Sequence, residues 1–269
     1  MNYLIGAISG NYTISNLKNW VESSNNFPDI KRVLFYYNTT NNDIFTYCKE
    51  NNIDVITPDF DLYGQKVNEF ISNSGFLNVQ NSPLLIHHIR FFHWFLFLKN
   101  LNIYDLILLT DVNDIVFNKN PFEWLKNKNY KGIIASSEEV LHSKEDWNLQ
   151  NYWSTFGVLS EMCLETKIYN AGTIAGTAKE VSDLCRDIYL LSINKSKNAD
   201  QAAYNYLIQN SYKEKTLFTD LNDKWGVHLH VINQKLVDFN LENLKEYVII
   251  HQYDRIPKLK NEIFNYYTI

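Results

Sequence analysis

Two acidic residues, Asp111 and Asp114, directly follow an apolar run and have the clearest potential for chemistry. A carboxylate pair on a tight turn at the end of a buried strand can supply two oxygen ligands to Mg²⁺ or Mn²⁺. Asn113 lies in the same turn, and a carboxylate binds a hard cation better than an amide, which favours Asp114 as the second ligand. The alternative interpretation is an Asp/Asn turn that simply ends the strand.

Three further short motifs carry polar groups that a ligand could reach. Asn170-Ala171-Gly172 lies in a run of small residues, which lets the backbone approach a ligand closely or lets a strand pack against a helix. Asp200-Gln201 opens a helix, where a negative charge also interacts favourably with the helix dipole. His251 follows an apolar strand-like run, where a lone histidine can equally be a structural residue.

These motifs need a scaffold that brings strand ends together, and the hydrophobic pattern predicts one. Apolar runs alternate with amphipathic segments, which is typical of an α/β fold with a doubly wound, mostly parallel sheet flanked by helices. In such sheets ligands bind at the carboxyl ends of the strands. The predicted strands are Tyr3–Ile8, Val33–Tyr37, Val55–Ile56, Asp105–Thr110, Ile133–Ala135, Ile168–Ala175, Thr216–Phe218 and Tyr247–His251. The predicted helices are Ser15–Ser24, Asp43–Asn51, a long helix after Ser82-Pro83, Thr177–Ser192 and Ala199–Gln209.

The segment from Ser136 to Glu165 follows neither pattern, so we expect it to be irregular. It contains four large aromatic residues, Trp147, Tyr152, Trp153 and Phe156. Irregular segments of this length in compact domains are usually functional or mobile. We therefore interpret this segment as a region that binds an acceptor.

Composition excludes several classes of protein. Hydrophobic residues make up 45% of the 269 residues and charged residues 20%, which excludes a disordered chain. The formal net charge of −5, with no long basic run, argues against binding of bulk nucleic acid. The three cysteines are widely spaced, which argues against a disulfide scaffold and favours a reducing compartment. Neither a G-x-x-x-x-G-K-[ST] loop nor a G-x-G-x-x-G motif occurs.

Two apolar segments bear on targeting. The run that ends at Ile8 has no basic region before it and is too short for a signal peptide. The run Leu84–Leu98 contains three histidines and Arg90, and it is too short and too polar to span a bilayer. We therefore expect a cytoplasmic protein with no transmembrane segment and at most weak peripheral contact with a membrane.

Taken in order along the chain, these motifs resemble those of the GT-A nucleotide-sugar glycosyltransferases, above all glycosyltransferase family 8 and related uncharacterised families. The shared order is a D-x-D-like turn at Asp111, an N-[AS]-G strand at Asn170, a D-Q helix start at Asp200 and a late histidine, His251. The resemblance covers roughly residues 1 to 257. This chain departs from the family pattern in its D-x-N-D turn and in the Gln-Tyr-Asp-Arg that follows His251 instead of G-x-x-K-P-W.

The resemblance implies a metal-dependent transferase that moves a hexose or pentose from a nucleotide-diphosphate sugar, with a UDP-sugar expected, to a glycan or other hydroxyl acceptor. Retention of configuration is the expected outcome. The implied cofactor is Mn²⁺ or Mg²⁺, held by Asp111, Asp114 and His251. The whole chain, 1–269, would form a single GT-A-like domain with a nucleotide-binding half over about 1–120 and an acceptor and closing half over about 121–269.

The resemblance also assigns roles to other side chains. Asp200 and Gln201 are the implied catalytic residues beside the anomeric carbon, and Trp147 and Trp153 are the candidates for stacking on an acceptor sugar. The implied nucleotide-sugar contacts are Ser9, Asn11, Tyr12, Arg90, Asp111, Asn113, Asn170, Ala171, Gly172 and, for the diphosphate, Arg255 or Lys258. Arg90 needs a partner if it is buried on its apolar helix, and Asp111 is one candidate. An inverting reaction would instead need a carboxylate base, for which the candidates are Glu138, Glu139 and Asp146.

Two other functions are compatible with parts of the sequence. Nucleotidyltransferases on a similar scaffold usually carry a Gly-rich loop with Arg and Lys after the first strand, which Gly10-Asn11-Tyr12 lacks. A non-catalytic carbohydrate-binding protein on a degenerate transferase fold would keep exposed aromatic residues. The intact acidic turn and His251 argue against that second alternative.

Overall fold

The protein is described by a computed structural model that covers residues 1–27, 29–58, 84–193, 195–232 and 240–268. The strands, in chain order, are β1 Asn2–Ile8, β2 Ile30–Tyr36, β3 Ile53–Ile56, β4 Leu106–Thr110, β5 Ile115–Phe117, β6 Ile133–Leu141, β7 Lys167–Thr177, β8 Thr216–Thr219, β9 Gly226–His228 and β10 Ile249–His251. The α-helices are α1 Ile14–Asn25, α2 Asn42–Glu50, α3 Leu84–Leu98, α4 Pro121–Lys128, α5 Asp146–Phe156, α6 Ala178–Ser192, α7 Ala199–Gln209, α8 Leu229–Ile232, α9 Leu241–Leu244 and α10 Pro257–Thr268.

The largest sheet has seven strands in the order β3-β2-β1-β4-β7-β6-β8. Strand β1 pairs in parallel with both β2 and β4, and β2–β3 and β6–β8 are also parallel. Strand β7 runs antiparallel to both of its neighbours, β4 and β6. The predicted α/β fold with a mostly parallel, helix-flanked sheet is therefore confirmed, with one reversed strand inside it.

Alternating side chains of β1 enter two cores, one on each face of the sheet, as the two-residue period of a strand requires. Tyr3 and Ile5 pack in the core that is covered by α3, α6 and α7, whereas Leu4 and Ile8 pack in the core covered by α1, α2 and α4. Because both faces are covered, the central strands are apolar throughout, as is usual for buried parallel strands. The carboxyl ends of β1 and β4 are consequently the free edge at which polar residues can meet.

A second sheet of three strands, in the order β5-β10-β9, was not predicted from the sequence. Strand β10 pairs antiparallel with β5 and in parallel with β9, in a register that sets His251 opposite His228. The acidic turn, residues 111–114, connects β4 of the large sheet directly to β5 of the small sheet. The small sheet therefore brings His251 to the same place as the end of β4.

The prediction that Ser136–Glu165 is irregular is wrong. Strand β6 continues to Leu141, and the helix α5 occupies Asp146–Phe156. The helix begins there because the Glu145 side chain accepts hydrogen bonds from the backbone N–H groups of Trp147 and Asn148, which satisfies two otherwise unpaired donors. A short 3₁₀ turn over His142–Lys144 lies between β6 and α5, and a longer 3₁₀ segment over Gly157–Cys163 follows the helix.

The other predicted elements are present, with ends displaced by a few residues. The helix α1 begins at Ile14 rather than Ser15, and the Thr13 backbone N–H donates to the Asn16 Oδ1. The predicted start of the long helix at Ser82-Pro83 lies outside the described residues. In the part of the chain that the structure describes, no helix is both long and apolar enough to cross a bilayer.

Candidate active site

The acidic turn is held in place by backbone hydrogen bonds to two other parts of the chain. The Asp111 N–H donates to the Gly172 carbonyl at 2.9 Å, which fixes the start of the turn against β7. The Gln252 N–H donates to the Asp114 carbonyl at 2.8 Å, which fixes its end against the segment after β10. The positions of both carboxylates are therefore set by β7 and by the segment after β10, which lie far apart in the sequence.

Asp111, Asp114 and His251 form a group that could hold a metal ion. The His251 Nε2 lies 3.5 Å from the Asp111 Oδ2 and 3.5 Å from the Asp114 Oδ1, and the three ligand atoms all lie within 4.8 Å of one another. The side chains of Asp111, Asp114 and His251 are 37%, 12% and 1% exposed. The buried Nε2 makes no hydrogen bond, and 3.5 Å exceeds a normal hydrogen-bond length. Two carboxylates and one imidazole whose ligand atoms face one another fit a divalent cation.

The charges in this group shift one another's pKa values. Burial lowers the pKa of His251, but the Asp114 charge and the contacts with both carboxylates outweigh it and raise the pKa to about 10. Burial raises the pKa of Asp111, but the Arg90 charge and the neighbouring His251 outweigh it and hold the pKa well below its usual range. Without a metal, the protein thus neutralises its acidic turn with its own cations.

Gly172 leaves the space in which this group is packed. A Cβ at this position would lie 2.4 Å from the Asp111 Oδ2 and 2.7 Å from the His251 Cε1. Both distances are far below van der Waals contact, so any side chain would displace two of the three candidate ligands. The small residue predicted to permit close approach therefore faces the candidate metal ligands.

Arg90 on α3 joins the acidic turn to the start of α7. Its Nη1 donates to the Asp111 Oδ1 at 2.8 Å and its Nη2 to the Asp200 Oδ2 at 3.2 Å. The expected pairing of Arg90 with Asp111 is present, and the second pairing with Asp200 was not foreseen. Burial lowers the pKa of the guanidinium, but the two carboxylates raise it by more than that, so the net pKa is raised and the side chain stays cationic. One buried cation therefore fixes two candidate functional carboxylates relative to each other.

Asn170 and Gln201 order the strand β7 beside the acidic turn. The Asn170 Oδ1 accepts from the Gly172 N–H at 2.7 Å, and its Nδ2 donates to the Glu138 Oε1 at 2.6 Å. The Gln201 Oε1 accepts from the Ala171 N–H at 2.9 Å. The Gln201 Nε2 donates to the Tyr169 carbonyl at 3.0 Å and to the Asn148 side chain of α5 at 3.2 Å. The Gln201 amide is therefore bonded on both its oxygen and its nitrogen.

The three acidic residues considered as bases lie in different surroundings. Glu138 is buried, and burial raises its pKa to about 7 despite the hydrogen bond from Asn170. Glu139 pairs with Lys167, with 3.0 Å between its Oε2 and the Lys167 Nζ. Asp146 is exposed in the first turn of α5. Of the three, Glu138 has the buried position and shifted pKa that are typical of a functional carboxyl group.

The candidate nucleotide contacts follow the end of β1. The Tyr12 N–H donates to the Ser9 carbonyl at 3.1 Å, and the Ser9 hydroxyl is bonded to the Asn11 side chain. Burial and the nearby Asp111 and Asp114 charges raise the pKa of Tyr12 to about 12, so this tyrosine lies beside the acidic turn. These three residues are thus placed together, next to the candidate metal ligands.

Asn113 is engaged elsewhere, because its Oδ1 accepts a hydrogen bond from the Asn16 Nδ2 at 2.8 Å. Of the two cationic candidates after His251, the Arg255 Nη2 lies 4.0 Å from the Asp114 Oδ2. The Lys258 ammonium is mostly exposed and lies 3.9 Å from Glu262 on α10. The geometry therefore favours Asp114 over Asn113 at the turn, and Arg255 over Lys258 beside it.

The aromatic residues of α5 divide into two sets. Tyr152 is buried and packs edge-on against His142, whereas Trp147 and Trp153 are 49% and 54% exposed. The Gln201–Asn148 hydrogen bond ties the buried face of this helix to α7. The two tryptophans are therefore available to a ligand. Their helix is hydrogen-bonded to Gln201, a candidate catalytic residue.

His228 is a buried residue beside the candidate metal ligands that sequence reasoning missed. Its Nδ1 lies 3.0 Å from the His251 Nδ1, and it is fully buried. Burial, and the charge of His251, hold its pKa well below the usual value for histidine. The sequence signal was the polar end of a short strand, Gly226-Val227-His228, which is too short to distinguish from a loop.

Comparison with known proteins identifies the family of the chain. A family model described as nucleotide-diphospho-sugar transferase matches residues 104–260, which is more than half of the chain. That range contains both acidic residues of the turn, the Asn170-Ala171-Gly172 strand, Asp200-Gln201 and His251. A search of curated protein sequences gave no match.

Several solved glycosyltransferases share the fold. The galactosyltransferase LgtC, solved with donor and acceptor sugar analogues, is 12% identical over 93% of this chain and 86% of its own, with a TM-score of 0.55. Mouse xyloside xylosyltransferase 1 is 13% identical over 93% of this chain and 97% of its own, with a TM-score of 0.52. GlyE from Streptococcus pneumoniae is 14% identical over 100% of this chain and 61% of its own, with a TM-score of 0.57. The chain therefore belongs to the nucleotide-diphospho-sugar transferase family and is a glycosyltransferase with the GT-A fold.

Proposed function

We propose that the enzyme transfers a sugar from a UDP-sugar to a hydroxyl group of a glycan or glycoconjugate, with retention of configuration and with the help of Mn²⁺ or Mg²⁺. The observation that carries this proposal is the convergence of Asp111, Asp114 and His251 at the end of β4. The His251 Nε2 lies 3.5 Å from one carboxylate oxygen of each aspartate. Carboxylate oxygens around a hard cation, with ligand positions left over, are suited to hold a diphosphate.

Asp111, Asp114 and His251 would hold the cation, and Asn113 would support the turn through its bond to Asn16. The cation would supply a Lewis acid that neutralises the charge developing on the leaving diphosphate. Of Arg255 and Lys258, Arg255 is the better placed to add to that neutralisation, since its guanidinium already lies beside Asp114. Lys258, which the sequence offers as an alternative, would have to leave Glu262 to do so.

Asp200 and Gln201 are the proposed catalytic residues at the sugar end of the site. Arg90 holds the Asp200 carboxylate, which leaves its second oxygen to accept hydrogen bonds from donor-sugar hydroxyls. Gln201 fixes the backbone of Ala171, so the Asn170-Ala171-Gly172 strand forms one wall of the donor pocket. If the reaction inverts instead, Glu138 is the preferred base, because burial already raises its pKa to about 7.

The remaining assignments follow the same division of the chain. Ser9, Asn11 and Tyr12 would contact the base and ribose, and Trp147 and Trp153 would stack on the acceptor sugar. We accordingly propose one domain with a nucleotide-binding half over about 1–120 and an acceptor half over about 121–269. All three cysteines are free and buried, which supports a reducing, cytoplasmic setting.

The test is nucleotide-sugar turnover with Mn²⁺ present, comparing the wild type with Asp111→Ala. We expect Asp111→Ala to lose about 10²–10³-fold in kcat, the usual scale for losing one group that stabilises charge in the transition state. Asp54→Ala is the matched control, because Asp54 is an exposed carboxylate whose partner is Lys31. Equal activity in the wild type and Asp111→Ala would refute the metal site.

A thermal-shift screen separates the proposed enzyme from a binding protein. UDP should stabilise the wild type only when Mn²⁺ or Mg²⁺ is present, because the diphosphate needs the cation between itself and the acidic turn. Stabilisation by a glycan without UDP release from any donor would instead indicate the non-catalytic alternative.

A further inference from the structure

His228 and His251 face each other in the interior of the small sheet. They occupy matching positions on the parallel strands β9 and β10, and their rings are almost perpendicular, at 83°. The two Nδ1 atoms are 3.0 Å apart, and both side chains are at most 1% exposed. A hydrogen bond between two Nδ1 atoms needs one donor and one acceptor, so it fixes the proton positions on both rings.

The direction of that bond follows from what the other side of His251 faces. Its Nε2 points at the two carboxylates of the acidic turn, 3.5 Å from each. To bind a cation between them, Nε2 must offer its lone pair, and the ring proton must then lie on Nδ1. His228 Nδ1 is the acceptor that receives this proton, so His228 must carry its own proton on Nε2.

On the far side of His228, a possible hydrogen-bond partner lies near its Nε2. Its Nε2 and the Ser136 Oγ are both buried, and neither has a hydrogen-bond partner among the described residues. A Cβ placed on Gly226 would lie 2.6 Å from the Ser136 Oγ and 3.8 Å from the His228 Nε2, so both polar atoms border the same small space. Gly226 keeps that space open. A buried N–H and a buried hydroxyl there can satisfy each other directly or through one water.

We propose that His228 is a positioning residue for the metal site: by accepting a hydrogen bond from the His251 Nδ1, it turns the His251 Nε2 lone pair toward the acidic turn. The proposal rests on the proposed metal-dependent function, because it concerns the ligand that His251 provides. His228 would thus influence the metal affinity of the ligand group without being a ligand itself. Outer partners of ligating histidines typically change metal affinity by about 10–100-fold.

The matched variants are His228→Leu and His228→Asn. Leucine fills a similar volume but accepts no hydrogen bond, whereas the asparagine Oδ1 can take the place of the His228 Nδ1 as an acceptor. His230→Leu is the control, because His230 is an exposed histidine on α8, two residues from His228. The measurement is Mn²⁺ binding, followed by electron paramagnetic resonance with and without UDP, on the full chain.

We expect His228→Leu to weaken Mn²⁺ binding about 10–100-fold, and His228→Asn to restore most of that loss. His230→Leu should bind as the wild type does. Equal Mn²⁺ affinity in the wild type and His228→Leu would overturn the proposal, and so would equal losses in the leucine and asparagine variants, since those would indicate packing alone. Failure of the wild type itself to bind Mn²⁺ is a different result, which refutes the proposed metal site.

A second measurement needs no variant and so does not depend on folding of His228→Leu. Two-bond ¹H–¹⁵N spectra of the wild-type histidines, with saturating Mg²⁺ and UDP, report which ring nitrogen carries the proton. We expect His251 protonated on Nδ1 and His228 on Nε2. A His251 ring that carries its proton on Nε2 under these conditions would contradict the proposal.

Discussion

At the acidic turn, charged groups from distant parts of the chain are packed together, whereas the segment 145–163 exposes large apolar side chains. The Arg90 guanidinium bonds to Asp111 and Asp200, which lie on the turn and on α7. Segment 145–163 begins with a cap from its own Glu145. Its exposed apolar residues are Trp147, Trp153, Val158, Leu159 and Met162.

The two regions therefore differ in the amino-acid substitutions that they tolerate. Removing one partner of a buried charged group leaves another charge unpaired, which is costly. Truncating an exposed side chain leaves water where water already was, so the folded state loses little. We therefore expect single substitutions at the acidic turn to alter both stability and activity, and those at the exposed positions of segment 145–163 to alter acceptor use alone.

The largest expected effect is that of Arg90→Met. The substitution keeps the apolar stem but removes the charge, so Asp111 and Asp200 face each other without their shared cation. We expect a loss of about 3 kcal/mol in the free energy of unfolding, measured by urea denaturation, because breaking a buried pair costs about that much. Mn²⁺ should restore part of the loss, since it can replace the cation at Asp111 and leaves Asp200 unpaired.

Arg186→Met is the matched control for that experiment. Arg186 also contacts two carboxylates, those of Asp183 and Asp187, but its side chain is 43% exposed on α6. A loss in Arg186→Met as large as that in Arg90→Met would remove the contrast between buried and exposed charge.

Gly172→Ala tests how closely the turn is packed. The added methyl group would meet the Asp111 Oδ2 at 2.4 Å, so the ligand group must spread to admit it. A misplacement of this size can cost about 100-fold in rate. The measurement is kcat with Mn²⁺ present, compared with the Mn²⁺ affinity of the same variant. Wild-type kcat in Gly172→Ala would mean that the site is looser than the structure indicates.

Glu138 should make stability depend on pH. Its pKa rises from 4.5 to about 7 on burial, so the folded state holds a proton that the unfolded state releases between these values. Stability contributed by this group is therefore present below about pH 4.5 and is lost as the pH rises through about 7. We expect the wild type to lose about 3 kcal/mol relative to Glu138→Gln across that range. Parallel pH profiles of the two proteins' unfolding free energies would contradict this.

The smallest effect on the fold is expected for Trp147→Ala and Trp153→Ala. Both should change the free energy of unfolding by no more than about 0.5 kcal/mol, as for other exposed side chains. If they stack on the acceptor, its KM should rise about fivefold while the KM of the donor stays unchanged, because an aromatic stacking contact contributes about 1 kcal/mol. The exposed Leu190 on α6 provides the control variant, Leu190→Ala. An unchanged acceptor KM would remove these residues from the site.

Some features of the two regions could be predicted from the sequence and others could not. The position of Asp111 could be predicted because it follows an apolar strand, and ligands bind at the carboxyl ends of strands in such a sheet. The sequence also placed His251 at a strand end, but its strand belongs to the small sheet, which the sequence did not predict. The pairing of His228 with His251 could not be predicted, since it depends on a three-residue strand in an unforeseen second sheet. The helix α5 was missed because its buried face contains Asn148 and Tyr152, while tryptophans face solvent, which reverses the usual apolar pattern.

The roles of Asp200 and Gln201 stay predictions, although their surroundings are clear. From the sequence, the helix dipole alone could explain an aspartate at the start of α7, and the structure adds the ion pair of Asp200 with Arg90. No local pattern could have indicated that bond, because the two residues are 110 positions apart. Contacts of this kind depend on how helices from both halves of the chain pack against one sheet.

The acidic turn is also the joint between the two sheets, since it leads from β4 straight into β5. Asp111 belongs to the large-sheet side of this joint, and His251 belongs to the small sheet. An ion bound by both residues would link the two sheets at this turn. Loss of that ion would therefore weaken the connection between the two sheets at this turn.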